Sequence, residues 1–108
     1  MRPVLTNVVD YAKNRITGGI GAVMTTDRAT GLPTIADVKV DSPADRAGLR
    51  TGDLITKVNG LATAGLPLAQ VVEGIRGFSG GRVTLTVQRS GSTNFECVVQ
   101  RSSWNNLR

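Results

Sequence analysis

The segment Arg15–Met24 places three glycines at the start of an alternating apolar run. Because glycine has no Cβ, such a loop can turn several backbone N–H groups toward one point and hold an anion or a carboxylate. Gly19-Ile20-Gly21 lacks the third glycine and the following helix of a dinucleotide-binding fingerprint, and no Gly-Lys-Ser or Gly-Lys-Thr follows, as a phosphate loop requires. On this segment alone, a glycine-softened start to a strand remains an open alternative.

The chain offers little other reactive chemistry. It has no histidine and a single cysteine, Cys97, so the commonest metal ligand and general base are both absent. The position of Cys97 in an alternating segment predicts a small buried hydrophobe. Ser42 falls at a helix cap and Ser79, Ser90 and Ser92 fall in turns. No lysine has a recognisable catalytic partner. We therefore expect no catalytic residues, no metal and no cofactor, and a chain that is not an enzyme by itself.

Composition indicates one globular domain. The chain has 108 residues, of which 40% are hydrophobic and only 4% aromatic, so Val, Ile, Leu and Ala must build the core. The net charge of +5 is dispersed along the chain, and few aromatic side chains are available to stack on bases, which disfavours nucleic-acid binding. Because no segment approaches the roughly 20 apolar residues of a membrane span, and the start lacks the apolar core of a signal peptide, we expect no membrane partner.

The elements that must position the glycine segment follow from periodicity. Alternation predicts strands over 20–26, 34–40, 54–58, 82–89 and 93–100, the last two forming a hairpin. A short helix is predicted after Ser42, which serves as N-cap, with Pro43 in the first turn, Asp45 completing a capping-box-like pair and Gly48 ending the helix. Apolar residues at spacings of three and four predict a longer helix over 67–76. Residues 6–12 fit either a short helix or an extended arm.

These elements predict a small α+β partly open barrel that presents a groove. The helix over 67–76 is a candidate wall, and the strand that begins at Ile20 is a candidate neighbour with a free edge. An extended peptide could add to that edge through backbone hydrogen bonds, with side-chain pockets supplying selectivity.

Four runs together resemble a bacterial PDZ domain over residues 16–100. They are Gly-Ile-Gly-Ala at 19–22, Ser-Pro-Ala-Asp-Arg-Ala-Gly-Leu-Arg-Thr-Gly-Asp-Leu-Ile at 42–55, Val-Asn-Gly at 58–60 and Val-Val-Glu-Gly-Ile-Arg-Gly at 71–77. The Ile-Arg-Gly-x-x-Gly run before Val-Thr-Leu-Thr-Val is most similar to the PDZ domains of C-terminal processing (tail-specific) proteases, and those of high-temperature-requirement serine proteases come second.

This resemblance implies an α+β, PDZ-like, partly open barrel of four to six strands with one short and one longer helix. In the bacterial, circularly permuted strand arrangement, the segment 93–100 supplies an edge strand. Residues 1–15 then form an N-terminal arm or short helix, and residues 101–108 a C-terminal tail.

The resemblance also implies a ligand, the C-terminus of a polypeptide with a hydrophobic last residue. The implied carboxylate-binding residues are Gly19, Ile20, Gly21, Ala22 and Arg15. The implied groove residues are Val23, Met24, Thr25, Leu68, Val72 and Ile75.

Leu68 stands where PDZ domains that select Ser or Thr carry a histidine, so the resemblance implies hydrophobic ligand residues at the last and antepenultimate positions. The module would recruit substrates to a protease, or regulate it, within a parent protein, in the cell envelope if the protease resemblance holds. The alternative is an adaptor PDZ domain that binds internal or own-chain segments, independent of proteolysis.

Overall fold

The computed structural model describes residues 17–78, 80–91 and 94–103, so Arg15 and the segment 6–12 lie outside the described residues. The strands are β1 (Thr17–Gly19), β2 (Ala22–Thr26), β3 (Pro33–Val38), β4 (Leu54–Val58), β5 (Leu61–Ala62), β6 (Gly77–Phe78), β7 (Arg82–Gln88), β8 (Phe95–Gln100) and β9 (Ser102–Ser103). The helices are α1 (Pro43–Arg46) and α2 (Leu68–Ile75).

The strands form two antiparallel sheets. The main sheet has the order β2-β3-β4-β7-β8, with β5 paired to β4, and the small sheet has the order β6-β1-β9. The predicted α+β, partly open barrel of four to six strands with one short and one longer helix is therefore confirmed. Strands β2 and β8 are the two outer strands of the main sheet, which agrees with the edge position predicted for segment 93–100.

The strand boundaries differ from the predicted ones where the backbone turns left-handed. β2 begins at Ala22 rather than at Ile20, because Gly21 has φ +82° and breaks the extended run. β3 spans Pro33–Val38 rather than 34–40, and Asp41 has φ +64° just beyond it. Four very short strands, β1, β5, β6 and β9, were not predicted. Since β9 pairs with β1, strand pairing continues past the predicted domain boundary at residue 100.

Helix α1 forms at the predicted capping signal, with one difference. The Ser42 hydroxyl accepts the Asp45 N–H at 3.2 Å, and Pro43 occupies the first turn as expected. The Asp45 carboxylate accepts the N–H of Asp41 at 2.9 Å rather than that of Ser42, so the capping box is shifted by one residue toward the N-terminus. Gly48 ends the helix with φ +88°, a left-handed conformation that favours glycine.

Helix α2 is held at its C-terminal end by a distant side chain. The helix ends at Ile75 because Arg76 is extended, with φ −71° and ψ 157°. The Arg101 Nε donates to the free carbonyl of Ile75 at 2.7 Å, which satisfies one of the carbonyls that a helix end leaves unpaired. A Cβ at Gly77 would lie 2.6 Å from Cζ of Arg101, so glycine leaves room for this contact.

The core is aliphatic, as the composition predicts. Its most buried side chains come from β3, β4, β7 and β8, and include Ile35, Ile55, Val83, Leu85, Val87 and Val99. Cys97 is 7% exposed and its Sγ donates to the Ala47 carbonyl at 3.3 Å, which confirms the predicted buried cysteine. Neither helix in the described ranges has the length and apolarity needed to cross a membrane.

Candidate functional site

A cleft of about 420 Å³ lies between the 19–21 loop, β2 and the C-terminal half of α2. The loop and the start of β2 contribute the consecutive residues 19–24 to its wall. Helix α2 and its end contribute Val72, Ile75 and Arg76, and the residue after β3, Lys39, completes the lining. The cleft therefore joins the glycine segment to the apolar helix stripe, the two features that the sequence singled out separately.

Two carbonyl groups of the glycine loop, those of Ile20 and Gly21, accept hydrogen bonds from other parts of the chain. The Ile20 carbonyl accepts the N–H of Ala44 at 2.8 Å, and the Gly21 carbonyl accepts the N–H of Lys39 at 2.9 Å. In a trans peptide the carbonyl and the next N–H point in opposite directions, and the described residues contain no cis peptide bond. The N–H groups of Gly21 and Ala22 therefore point away from these anchors.

The donors of this loop are available. Across the described ranges, the N–H groups of Ile20 and Gly21 donate to no acceptor. Among the described residues, strand β2 pairs only with β3 and is an outer strand of the main sheet. The N–H of Ala22, which is directed away from β3, therefore faces no described strand. Successive backbone N–H groups without partners can form a site for an anion or a carboxylate.

The opposite wall of the cleft is apolar because α2 is amphipathic. Val71 and Ile75 are buried against the core, with exposures of 2% and 4%, whereas Leu68 and Val72 are half-buried. Leu68 and Val72 are four residues apart and therefore share one face of the helix. That face continues to Arg76 at the carboxyl end of the helix, where Arg76 forms an ion pair with Glu73 at 3.6 Å.

The charged residues of the cleft are cationic. Lys39 and Arg76 line it, and no acidic residue does so among the described residues. A positive field over a set of backbone donors favours an anionic group. Because the remaining lining is glycine, alanine and larger apolar side chains, the geometry suits a ligand with one anionic end and apolar side chains.

The structure brings most of the predicted site residues together. Gly19, Ile20, Gly21, Ala22, Val23, Met24, Val72 and Ile75 all line the cleft. Thr25 and Leu68 lie on the same two elements but do not line it. The binding roles of all these residues, in the cleft or outside it, stay predictions. The role of Arg15 also stays a prediction, because Arg15 lies outside the described residues.

Sequence reasoning missed both Lys39 and Arg76. Lys39 reaches the cleft through the pairing of β3 with β2, and its sequence neighbourhood gives no sign of this. Arg76 follows the apolar stripe directly, at the i+4 position from Val72, so helical spacing could have identified it.

The fold and the cleft define a class of protein. A sequence model described as "PDZ domain" matches residues 34–89, which is more than half of the chain. The chain therefore belongs to the PDZ domain family.

The chain is similar to part of longer proteins described as probable CtpA-like serine proteases. The chain is 40% identical over 76 residues to a probable CtpA-like serine protease of Staphylococcus saprophyticus, an alignment that covers 70% of this chain and 15% of the relative. The chain thus spans a small part of the length of this relative.

The solved structures that share the fold include two from proteases that act at C-termini by name. The photosystem II D1 C-terminal processing protease superposes with a TM-score of 0.75 at 27% identity, covering 81% of this chain and 23% of that chain. The PDZ domain of a carboxy-terminal protease from Vibrio cholerae, solved in complex with a peptide, superposes with a TM-score of 0.69 at 26% identity, covering 81% of this chain and 96% of that chain.

Proposed function

We propose that this chain is a non-catalytic module that binds the hydrophobic C-terminal tail of a polypeptide. The tail adds as a strand to the free edge of β2, and its terminal carboxylate accepts hydrogen bonds from the N–H groups of Ile20, Gly21 and Ala22. The observation that carries the proposal is that the Ile20 and Gly21 carbonyls accept hydrogen bonds from Ala44 and Lys39. These bonds direct the N–H groups of Gly21 and Ala22 to the opposite side. The N–H groups of Ile20 and Gly21 have no acceptor among the described residues.

The apolar wall would select the side chains of the tail. Val72 and Ile75 line the cleft opposite β2, so the last ligand residue would bury an apolar side chain between them and the loop. Leu68 lies one helical turn before Val72, further from the carboxylate loop, and would contact the antepenultimate side chain. The peptide-complexed relative from Vibrio cholerae supports the choice of a peptide as ligand.

The relatives suggest what the binding serves. Because the chain matches CtpA-like serine proteases over a small part of their length, we infer that the module recruits substrate tails to a protease domain or regulates it.

Fluorescence polarisation tests the binding proposal directly. A labelled hexapeptide ending in Leu-Asn-Val is titrated with the full chain, once with a free carboxylate and once amidated. Each charge-assisted hydrogen bond is worth about 1.5–3 kcal/mol, so we expect amidation to weaken binding by at least about tenfold. Equal affinities for both forms would refute carboxylate capture and favour a groove that binds internal segments.

A matched pair of variants tests whether the peptide binds in the cleft. Val72→Asp places a charge in the cleft wall, and Val98→Asp makes the same change on β8, where Val98 is 57% exposed at the other edge of the sheet. We expect only Val72→Asp to abolish binding. Loss of binding in Val98→Asp alone would place the site elsewhere.

A further inference from the structure

Lys39 lines the cleft although it lies one strand away from the free edge of the sheet. Its backbone N–H donates to the Gly21 carbonyl at 2.9 Å, so the two residues face each other just before β2 and just after β3. In the part of the chain that the structure describes, the half-buried Lys39 side chain forms no ion pair and no hydrogen bond.

Gly21 opens the path from Lys39 to the edge. Neighbouring strands lie about 5 Å apart, so a strand added to β2 lies about 10 Å from β3. A side chain on β3 must therefore pass over the intervening β2 residue to reach such a ligand. At position 21 that residue has no side chain, and lysine carries its ammonium on a long flexible stem.

The next β3 residue on the same face of the sheet, Asp37, cannot reach an added strand in this way. Asp37 pairs with Val23, and Val23, which is 59% exposed, stands between Asp37 and any strand added to β2. Asp37 does not line the cleft, whereas Lys39 does. Arg76 lies on the other side of the cleft, on α2, where it is paired with Glu73. Of the described residues that line the cleft, Lys39 is thus the charged one on the solvent side of the proposed ligand.

The alternation of side chains along a bound strand shows which ligand residue lies near the Lys39 ammonium. Side chains of an added strand alternate between the two faces of the sheet. With the terminal carboxylate at the 19–21 loop, the last and antepenultimate side chains share the face of Ala22 and Met24, toward α2. The penultimate side chain then lies on the opposite face, beside Val23 and the open space over Gly21.

We propose that Lys39 selects polypeptide tails with an acidic penultimate residue. The inference rests on the proposed function, since it assigns a chemistry to one position of the same tail. The ammonium of Lys39 reaches over Gly21 and pairs with the Asp or Glu side chain of the ligand. The proposed ligand thus carries two carboxylates, the terminal one and that of the penultimate side chain.

Three hexapeptides test the proposal, identical except for the penultimate residue of a Leu-X-Val ending, where X is Asp, Asn or Lys. We expect the wild-type chain to bind the Asp peptide about two- to fivefold more tightly than the Asn peptide, as a partly exposed ion pair allows, and the Lys peptide least tightly. The preference should shrink in 0.5 M salt, because screening weakens such pairs.

Variants assign the preference to the side chain. Lys39→Gln should bind the Asp and Asn peptides equally, and Lys39→Glu should favour the Lys peptide. Lys57→Gln is the matched control, because Lys57 is exposed on β4 away from the cleft and the net charge changes by the same amount. Thermal midpoints within a few degrees of the wild type show that each variant is folded.

The outcomes separate the two proposals. An unchanged Asp preference in Lys39→Gln would overturn the assignment to Lys39. An equal loss for all three peptides in Lys39→Gln would also overturn it, since Lys39 would then serve the terminal carboxylate instead. If the wild-type chain binds none of the peptides at millimolar concentration, the proposed function itself fails, which is distinct from binding without preference.

Discussion

Replacement of Asp53 by asparagine tests the buried ion pair that ties the loop before β4 to the end of β7. The Asp53 side chain is 2% exposed and that of Arg89 is 25% exposed. Arg89 donates to both carboxylate oxygens, at 2.8 Å from Nε and 2.7 Å from Nη2, and the N–H of Arg50 donates to Oδ2 at 2.8 Å. Asparagine keeps the shape but has one oxygen, so its NH₂ group must face a donor.

The expected loss of stability follows from this geometry. A hydrogen bond to a charged group contributes about 1.5–3 kcal/mol, and breaking a buried ion pair costs about 3–5 kcal/mol. Because a quarter of the Arg89 side chain is exposed, water recovers part of the loss, and we expect the Asp53→Asn variant to lose about 3 kcal/mol. For a domain of this size that corresponds to a thermal midpoint lower by roughly 12–24 °C.

Urea unfolding of the full chain, followed by far-ultraviolet circular dichroism, measures this loss. Asp37→Asn is the matched control, since Asp37 is exposed on β3, and we expect it to change the unfolding free energy by less than about 0.5 kcal/mol. A double variant that also carries Arg89→Met should be less destabilised than the sum of the single variants. If Asp53→Asn unfolds within about 1 kcal/mol of the wild type, the ion pair does not stabilise the fold as argued.

We also expect the Asp53→Asn variant to differ from the wild type in how its free energy of unfolding depends on pH below about pH 4. Burial raises the pKa of Asp53, but hydrogen bonds from Arg89 and the Arg50 N–H, together with their charges, outweigh burial and leave the pKa below its usual value. A carboxyl whose pKa is lowered by folding stabilises the protein above its unfolded pKa of about 4, and this stability is lost as the pH falls through the folded pKa. The wild type should therefore lose stability below pH 4 more steeply than Asp53→Asn, and equal slopes would contradict this account.

Three further predictions concern the groove wall, a buried hydroxyl and the cysteine. Leu68→Asp should weaken binding of a peptide with a hydrophobic antepenultimate residue by at least about tenfold, while the thermal midpoint changes by only a few degrees; a large fall in the midpoint would place Leu68 in the core. Thr63 is 2% exposed and its hydroxyl donates to the Ile55 carbonyl at 2.6 Å, so Thr63→Val should cost about 1–2 kcal/mol in urea unfolding, and a neutral result would show that the bond contributes nothing. Burial raises the pKa of Cys97, so a thiol-specific reagent at pH 8 should label the native chain far more slowly than the urea-unfolded chain, and equal rates would contradict burial.

Local signals predicted the elements whose cause is local. The short helix α1 begins at Ser42-Pro43 because the Ser42 side chain caps it and the Pro43 ring fixes φ in its first turn. Both are properties of adjacent residues. Helix α2 and the β7–β8 hairpin follow from apolar periodicity over six or more residues in each element. Strands β5, β6 and β9 have two residues each, too few for any period to be visible, so only their pairing partners define them.

Two contacts of charged side chains could not be predicted because each joins distant parts of the chain. Arg89 lies 36 residues from Asp53 and Arg101 lies 26 residues from Ile75, and neither pair is suggested by spacing. The place of Lys39 in the cleft depends on the register of β3 against β2, which shifts at a bulge between Val23 and Met24. A register shift of one residue would move a side chain to the other face of the sheet.

The most recognisable motif of the chain acts on the cleft from a distance. A helix leaves its first N–H groups without partners inside the helix, and Pro43 has none, so the first free donor after the Ser42 cap belongs to Ala44. That donor binds the Ile20 carbonyl at 2.8 Å, while the next, on Asp45, binds the Ser42 hydroxyl. Because the Ile20 carbonyl and the Gly21 N–H belong to one trans peptide, the start of α1 sets the direction of a donor that we assign to the carboxylate. The Ser-Pro-Ala-Asp run therefore contributes to the proposed binding indirectly, because it orients the peptide plane between Ile20 and Gly21.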